Sequence, residues 1–188
     1  NNELNFGAEA IYYNFEPANA VGVSNGVPTD VSIPKKYNLE TSVYLSNSQK
    51  ISQAFSIDYG LRYSLFNSFG PDSTYTYSNE VPGKRRTPIG SQYHKSGEII
   101  ATYGNFEPRL SFKIQATPSS SIKGSYNRMV QYLHLISNTT ASNPLDVWNP
   151  SSKNIKPQIG DQYTLGWFKD VGEKKQYELS LEGYVRFN

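Results

Sequence analysis

Seven times along this 188-residue chain, apolar and polar side chains alternate with a period of two. That period separates two faces of a strand cleanly, whereas a helix would scatter the same residues around its circumference. The clearest case sets Phe55, Ile57, Tyr59, Leu61, Tyr63 and Leu65 against Ala54, Ser56, Asp58, Gly60, Arg62 and Ser64. The pattern predicts strands over Glu3–Tyr13, Tyr37–Ser46, Phe55–Leu65, Arg109–Ala116, Ser121–Tyr132, Gln162–Lys169 and Gln176–Asn188. Charged side chains fall almost only on the polar face of each.

The connections carry an independent pattern. Ser46–Lys50, Thr117–Ser120 and Asp170–Lys175 are short. Between them come links of about 23, 40 and 28 residues, far above the usual loop of about 4–6. Strict alternation of tight turns with long loops is the signature of an up-and-down transmembrane barrel. The segments also run about 8–16 residues, where soluble strands average nearer 5–6 and a tilted membrane strand needs about 9–11. The expected fold is therefore all-β, an antiparallel up-and-down transmembrane β-barrel segment. Because unpaired backbone groups in hydrocarbon cost several kcal/mol apiece, an odd set of seven strands is expected to be part of a larger wall.

Composition narrows the alternatives. No apolar run approaches the roughly 18 residues of a transmembrane helix, and the mean hydropathy of −0.59 suits barrel strands, whose faces average out. A net charge of +2 without a concentrated basic face argues against nucleic acid as a partner. The one basic cluster, Lys84-Arg85-Arg86, reads as solvated loop charge. With no Cys there is no disulfide framework or thiolate metal site. No signal peptide is visible at Asn1, which fits a mature form or an internal segment.

Four stretches resemble a known family. Tyr103-Gly-Asn-Phe-Glu-Pro-Arg-Leu-Ser-Phe112 looks like the entry into a barrel strand of TonB-dependent receptors. Ser125-Tyr-Asn-Arg-Met-Val-Gln-Tyr-Leu-His-Leu-Ile-Ser-Asn138 is similar to the strand and loop that follow it in receptors of Bacteroidetes type. Asp146–Pro157 leading into Asp161–Gly166, and Tyr177–Tyr184, continue the likeness. It is close over residues 103–188 and generic over 1–102. The resemblance implies a barrel of about 22 strands around an N-terminal plug, of which this chain would be about seven strands. It further implies import of a glycan, peptide or metal chelate across the outer membrane. The implied partners are the remaining strands and plug, TonB acting through that plug, and a surface lipoprotein.

Candidate residues follow from position. No catalytic constellation, cofactor-binding loop or metal-ligand spacing is present, so neither an enzyme nor a cofactor is expected; His94 and His134 fall in predicted loops. Ligand binding belongs to the long loops. His134, Asn138, Asp146 and Trp148 in one, and Tyr75 and Tyr77 in another, are the candidates. Asp58, Arg62, Arg109, Lys113, Glu178, Glu182 and Arg186 are expected to face the lumen and plug as a cross-strand charge ladder. Tyr12, Tyr63, Tyr132 and Tyr163 are expected in the membrane girdle. Arg128 shares parity with Tyr126 and Val130. Either it reaches the outer rim and meets lipopolysaccharide phosphates, or a β-bulge near Met129 reverses its direction. Two other readings compete with the importer: a soluble β-sandwich glycan-binding or adhesin module, and a pore closed by several copies of the chain.

Overall fold

A computed structural model describes residues 1–16, 20–24, 27–31, 34–78, 86–136, 147–172 and 176–188. Among them every regular element is a strand. In chain order these are β1 (Asn2–Phe15), β2 (Ala20–Ser24), β3 (Val27–Val31), β4 (Lys36–Lys50), β5 (Phe55–Phe69), β6 (Asp72–Tyr77) and β7 (Pro88–His94). There follow β8 (Ile99–Thr117), β9 (Ser120–Gln131), β10 (Leu133–Ile136), β11 (Val147–Pro150), β12 (Gln158–Val171) and β13 (Tyr177–Phe187). One antiparallel sheet runs β1-β4-β5-β8-β9-β12-β13, an up-and-down meander. Each long connection carries its own two-stranded hairpin: β2–β3, β6–β7 and β10–β11.

The seven predicted strands are the seven of the sheet; five are longer than the alternation suggested, while β9 keeps its predicted length one residue earlier and β13 is slightly shorter. The turn expected at Ser46–Lys50 is the end of β4, and the chain reverses over residues 51–54. Residues 99–108, which precede the strand predicted from Arg109, belong to β8. Towards that end β8 pairs only with β5, since its pairing with β9 begins at Arg109, so a residue without an N–H is tolerated at 108.

Register lines up the apolar residues across the sheet. Phe6, Leu45 and Leu61 form one row, and Ile114, Ile122, Trp167 and Leu181 another. Burial is inverted relative to a soluble domain. Phe6 is 77% exposed, Leu165 60% and Leu181 73%, while Asn38, Ser42, Ser64, Ser68 and Glu107 on the polar face are buried. Leu61 and Leu179 are exposed too, and Phe55 and Ile57 only half-buried, so among the described residues no second sheet covers this face as a sandwich would. Among the described residues only Phe66 and Tyr132 form a buried apolar pair, and they lie on the polar side.

Aromatic rings bound the apolar face at two heights. Near the short turns are Tyr59, Trp167 and Tyr177; towards the long loops are Tyr12, Tyr63, Phe106, Tyr163 and Phe187. Tyr63 packs at a tilt against Phe106, ring centroids 4.9 Å apart, and Tyr163 likewise against Tyr126 at 4.8 Å. From Tyr177 to Phe187 a strand rises about 33 Å, or about 23 Å when tilted by about 45°, close to the roughly 25 Å apolar band of an outer-membrane barrel.

Arg128 stays on the apolar face. The β9–β12 register is unbroken from Ser120↔Lys169 to Gln131↔Gln158, so no bulge turns it inward. Its guanidinium meets Asp161 directly opposite, Nε to Oδ1 at 2.8 Å and Nη2 to Oδ2 at 2.9 Å, and the Tyr126 hydroxyl donates to the same carboxylate at 2.8 Å. A bidentate pair at the height of the upper aromatic belt is how this face tolerates a charge.

A charge placed at mid-height without such a partner has no remedy. Leu165→Arg is expected to destabilise the protein by about 2–4 kcal/mol. Ser180→Arg, beside Glu178 and Glu182 on the polar face, is expected to shift stability by no more than about 0.5 kcal/mol. Denaturant unfolding in lipid vesicles measures both; equal effects would mean that the two faces do not differ in environment.

Candidate functional site

The polar face is organised around Arg62. β5 presents this guanidinium between β4 and β8. Its Nη2 lies 3.2 Å from Glu9 Oε2 and 3.4 Å from Glu40 Oε1, and its Nε 3.8 Å from Glu107 Oε1. Tyr13 donates its hydroxyl to the other oxygen of Glu40 at 3.1 Å. One cation thus faces three carboxylates, and the cluster carries surplus negative charge. On either side of Glu40, Asn38 and Ser42 are buried with Nδ2, Oδ1 and Oγ all unpartnered, and Arg62 Nε has no hydrogen bond. Each such buried group costs about 1–3 kcal/mol. The arrangement is chemically complementary to a cationic, hydrogen-bonding group. Among the described residues no set of three or more His, Cys, Asp or Glu has the geometry of a metal site.

The rest of the expected charge ladder does not form. Asp58 accepts from Ser111 Oγ at 3.1 Å. Among the described residues Arg109, Lys113, Glu178, Glu182 and Arg186 have no ion-pair partner, because register puts the wrong groups opposite them. Lys113 faces Lys123, Glu178 faces Asp170, Glu182 faces Gly166, and Arg109 faces Gly60 and Asn127. Lys123 turns instead onto the Phe168 ring, 4.1 Å from its centroid. Arg186 donates from Nε to Asn188 Oδ1 at 2.9 Å.

Above Arg62 the third long connection folds over the polar face. Tyr132, expected in the girdle, is 3% exposed and stacks flat on Phe66 with centroids 4.8 Å apart. Its hydroxyl lies 2.7 Å from Ser64 Oγ and accepts from Asn105 Nδ2 at 3.0 Å. The parity of β9 would send it outward, but β9 ends at Gln131 and the ring turns in. Tyr103 donates to Ser152 O at 2.7 Å, Ser151 N to Tyr132 O at 2.7 Å, and Lys36 Nζ to Asn149 Oδ1 at 2.9 Å. Asn154 Nδ2 reaches Tyr75 O at 3.0 Å. Tyr12, Tyr63 and Tyr163, by contrast, do lie on the apolar face.

These contacts enclose a cavity of about 930 Å³ at the loop end of the sheet. Its lining includes Tyr37, Ile100, the β6–β7 hairpin, and Pro150, Ser152, Asn154 and Ile155. Pairing of Ser73 with Tyr93 and of Tyr75 with Ser91 puts Tyr75, Tyr77 and Tyr93 on one face of the hairpin. The hairpin is fixed at its base. Gly70 N donates to Glu98 O, and a Cβ on Gly70 would run into the Lys95 carbonyl. His94, at the end of β7 and not in a loop, is buried between Thr74 Oγ1 at 3.1 Å and Glu98 Oε1 at 3.0 Å. The Lys95 amide and His94 hold the Glu98 carboxyl below its ordinary range.

Of the six ligand candidates, Tyr75 and Tyr77 line the cavity. His134 and Trp148 sit on the neighbouring β10–β11 hairpin, where His134 Nε2 lies 3.2 Å from Ser151 Oγ and Trp148 is half exposed opposite Leu135. Asn138 and Asp146 lie outside the described residues, as do Lys84 and Arg85. Sequence reasoning put Glu9 and Glu40 on the right face but did not single them out, and left Glu107 two residues ahead of the strand it predicted from Arg109.

Tyr132 provides a direct check on the inward fold. Tyr132→Ala is expected to cost about 3–5 kcal/mol, the range for a buried aromatic, and Tyr132→Phe about 1–3 kcal/mol from leaving Ser64 and Asn105 unpaired. Denaturant unfolding resolves the two; a neutral Tyr132→Ala would place the ring in the girdle after all.

A family model described as TonB dependent receptor-like, beta-barrel, matches residues 1–184. No curated protein and no solved structure matches the chain significantly. The match spans nearly the whole sequence and agrees with the all-β antiparallel sheet: this chain belongs to the TonB-dependent receptor-like β-barrel family, receptors and transporters of the bacterial outer membrane.

Proposed function

We propose that these seven strands form part of the wall of a larger, plugged barrel that captures a nutrient ligand outside the cell and imports it. The observation that carries the reading is the inversion of burial: exposed Phe6, Leu165 and Leu181 on one face, buried Asn38, Ser64 and Glu107 on the other. The apolar face lies against acyl chains, and the Arg128–Asp161 pair stands at the lipopolysaccharide level. The polar face looks into the lumen. There Glu9, Glu40 and Glu107 offer two more negative charges than Arg62 neutralises, and Asn38 and Ser42 offer free donors and acceptors. A cationic segment of the plug supplies what that cluster lacks, and TonB acts on the plug. β1 and β13 each pair with one strand only, so the sheet presents two edges for neighbouring strands of the wall.

The long connections are extracellular in this reading and the short turns periplasmic. Ligand capture belongs to the cavity beside Tyr75 and Tyr77, with His134, Trp148, Asn138 and Asp146 on the adjoining loop. A glycan, a peptide and a metal chelate are the ligand classes this family reading brings, and a surface lipoprotein is its expected accessory.

Orientation is testable because the chain has no Cys. Gly90→Cys introduces a thiol where a Cβ meets no atom within 4 Å, and Gln53→Cys one in the exposed turn between β4 and β5. In intact cells a membrane-impermeant maleimide is expected to label the thiol at position 90 and to reach position 53 only after the outer membrane is opened. Labelling of position 53 alone in intact cells would reverse the barrel, and equal labelling of both would remove it from the membrane.

A further inference from the structure

Resting on the receptor function proposed above, we propose that the cavity bordered by β6–β7 takes a neutral oligosaccharide. Three features of the lining point there. First, Tyr75, Tyr77 and Tyr93 share one face of the hairpin and are all exposed, giving flat rings of the kind that stack on the C–H faces of pyranose sugars. A hairpin anchored through Gly70 and the Thr74–His94–Glu98 chain holds those rings at fixed spacing, so little ordering is required on binding.

Second, the lining is electrically matched. Lys36 lies 4.0 Å from Asp72 and donates to Asn149, and Lys35 pairs with Glu16 at 2.7 Å. Among the described residues the cavity therefore presents no cation left over for an anionic chelate or acidic peptide, and no anion left over for a basic one. What remains is hydroxyl and amide chemistry from Ser68, Ser73, Ser152 and the tyrosine phenols, which suits the donors and acceptors of sugar hydroxyls. The Tyr75 carbonyl, one of the backbone groups an added peptide strand could have used, is occupied by Asn154.

Third, about 930 Å³ is near the top of the roughly 300–1,000 Å³ range for small-ligand sites, too roomy for a single sugar ring and suited to several. The apolar walls supplied by Pro34, Pro71, Pro150 and Ile155 cover ring faces between the hydroxyls.

The test is titration calorimetry on the whole receptor in detergent. The probes are neutral linear hexasaccharides of glucose, mannose, xylose and galactose, with hexagalacturonate and ferric citrate as anionic comparisons. At least one neutral hexasaccharide is expected to bind. Tyr75→Ala with Tyr77→Ala is expected to weaken it at least tenfold, Tyr75→Phe with Tyr77→Phe less than threefold, and Gln92→Ala, on the opposite face of the hairpin and outside the cavity lining, less than twofold. Heat-modifiable gel migration confirms that each variant retains its barrel. Binding of an anionic probe alone, lost with the tyrosines, would overturn the neutral-sugar assignment and leave the receptor reading standing. Neutral binding indifferent to the tyrosines would move the site elsewhere. No binding of any probe overturns the assignment, and together with failure of the maleimide pattern it overturns the receptor reading as well.

Discussion

A backbone surrounded by hydrocarbon must find all its hydrogen-bond partners within protein, and the rest of this structure follows from that requirement. It is why the chain crosses as strands paired with one another and why the crossings are joined by tight turns at one end. It also lets Leu165 and Leu181 stand exposed while Asn38 and Ser64 are buried. In water such a sheet would lose the hydrophobic stabilisation that holds ordinary domains together. In a membrane the apolar face is already in its preferred solvent, and packing energy is spent on the polar side.

That polar side does two jobs at different heights. At mid-sheet, Arg62 and three glutamates leave charge and buried groups unbalanced, a surface built to receive something. Nearer the loops, the Phe66–Tyr132 stack and the bonds of Tyr103, Ser151 and Asn154 close the surface and turn the third connection into a wall of the cavity. Tyr132 joins the two levels. Its hydroxyl receives Asn105, two residues from Glu107 on the same face of β8, so the loop segment beside the cavity stands on the strand that completes the acidic cluster.

Much of the sheet was legible in the sequence because a period of two is all that a two-faced strand requires. Leu39, Val43 and Leu45, or Leu179 and Leu181, could hardly sit otherwise. Strand ends were harder to read. Gly104 and Pro108 look like breakers, yet beyond Arg109 β8 has lost one neighbour, and the usual penalties vanish there. The three loop hairpins escaped notice because strands as short as Leu133–Ile136 carry too few residues to show alternation. At the site, parity put Arg62, Glu9 and Glu40 on one face but could not reveal which would meet. That depends on stagger between strands, which also set Lys113 against Lys123 and spoiled the expected ladder. Arg128 was legible as an anomaly, and its answer, Asp161, lay one residue before the predicted start of its strand. Tyr132 misled because parity holds only while a strand lasts.

Facial assignment is the claim on which all of this stands, and Trp167 reports on it directly. It lies on the apolar face near the short turns, its indole N–H donating to Ser120 Oγ at 2.9 Å, whereas Trp148 stands on a loop hairpin. In vesicles of phospholipid brominated high on the acyl chain, part of the receptor's tryptophan emission should be quenched. That quenched component should shrink in Trp167→Phe and be unchanged in Trp148→Phe. A quenched component unchanged by Trp167→Phe would mean that the ring does not touch lipid and that the two faces have been assigned the wrong way round.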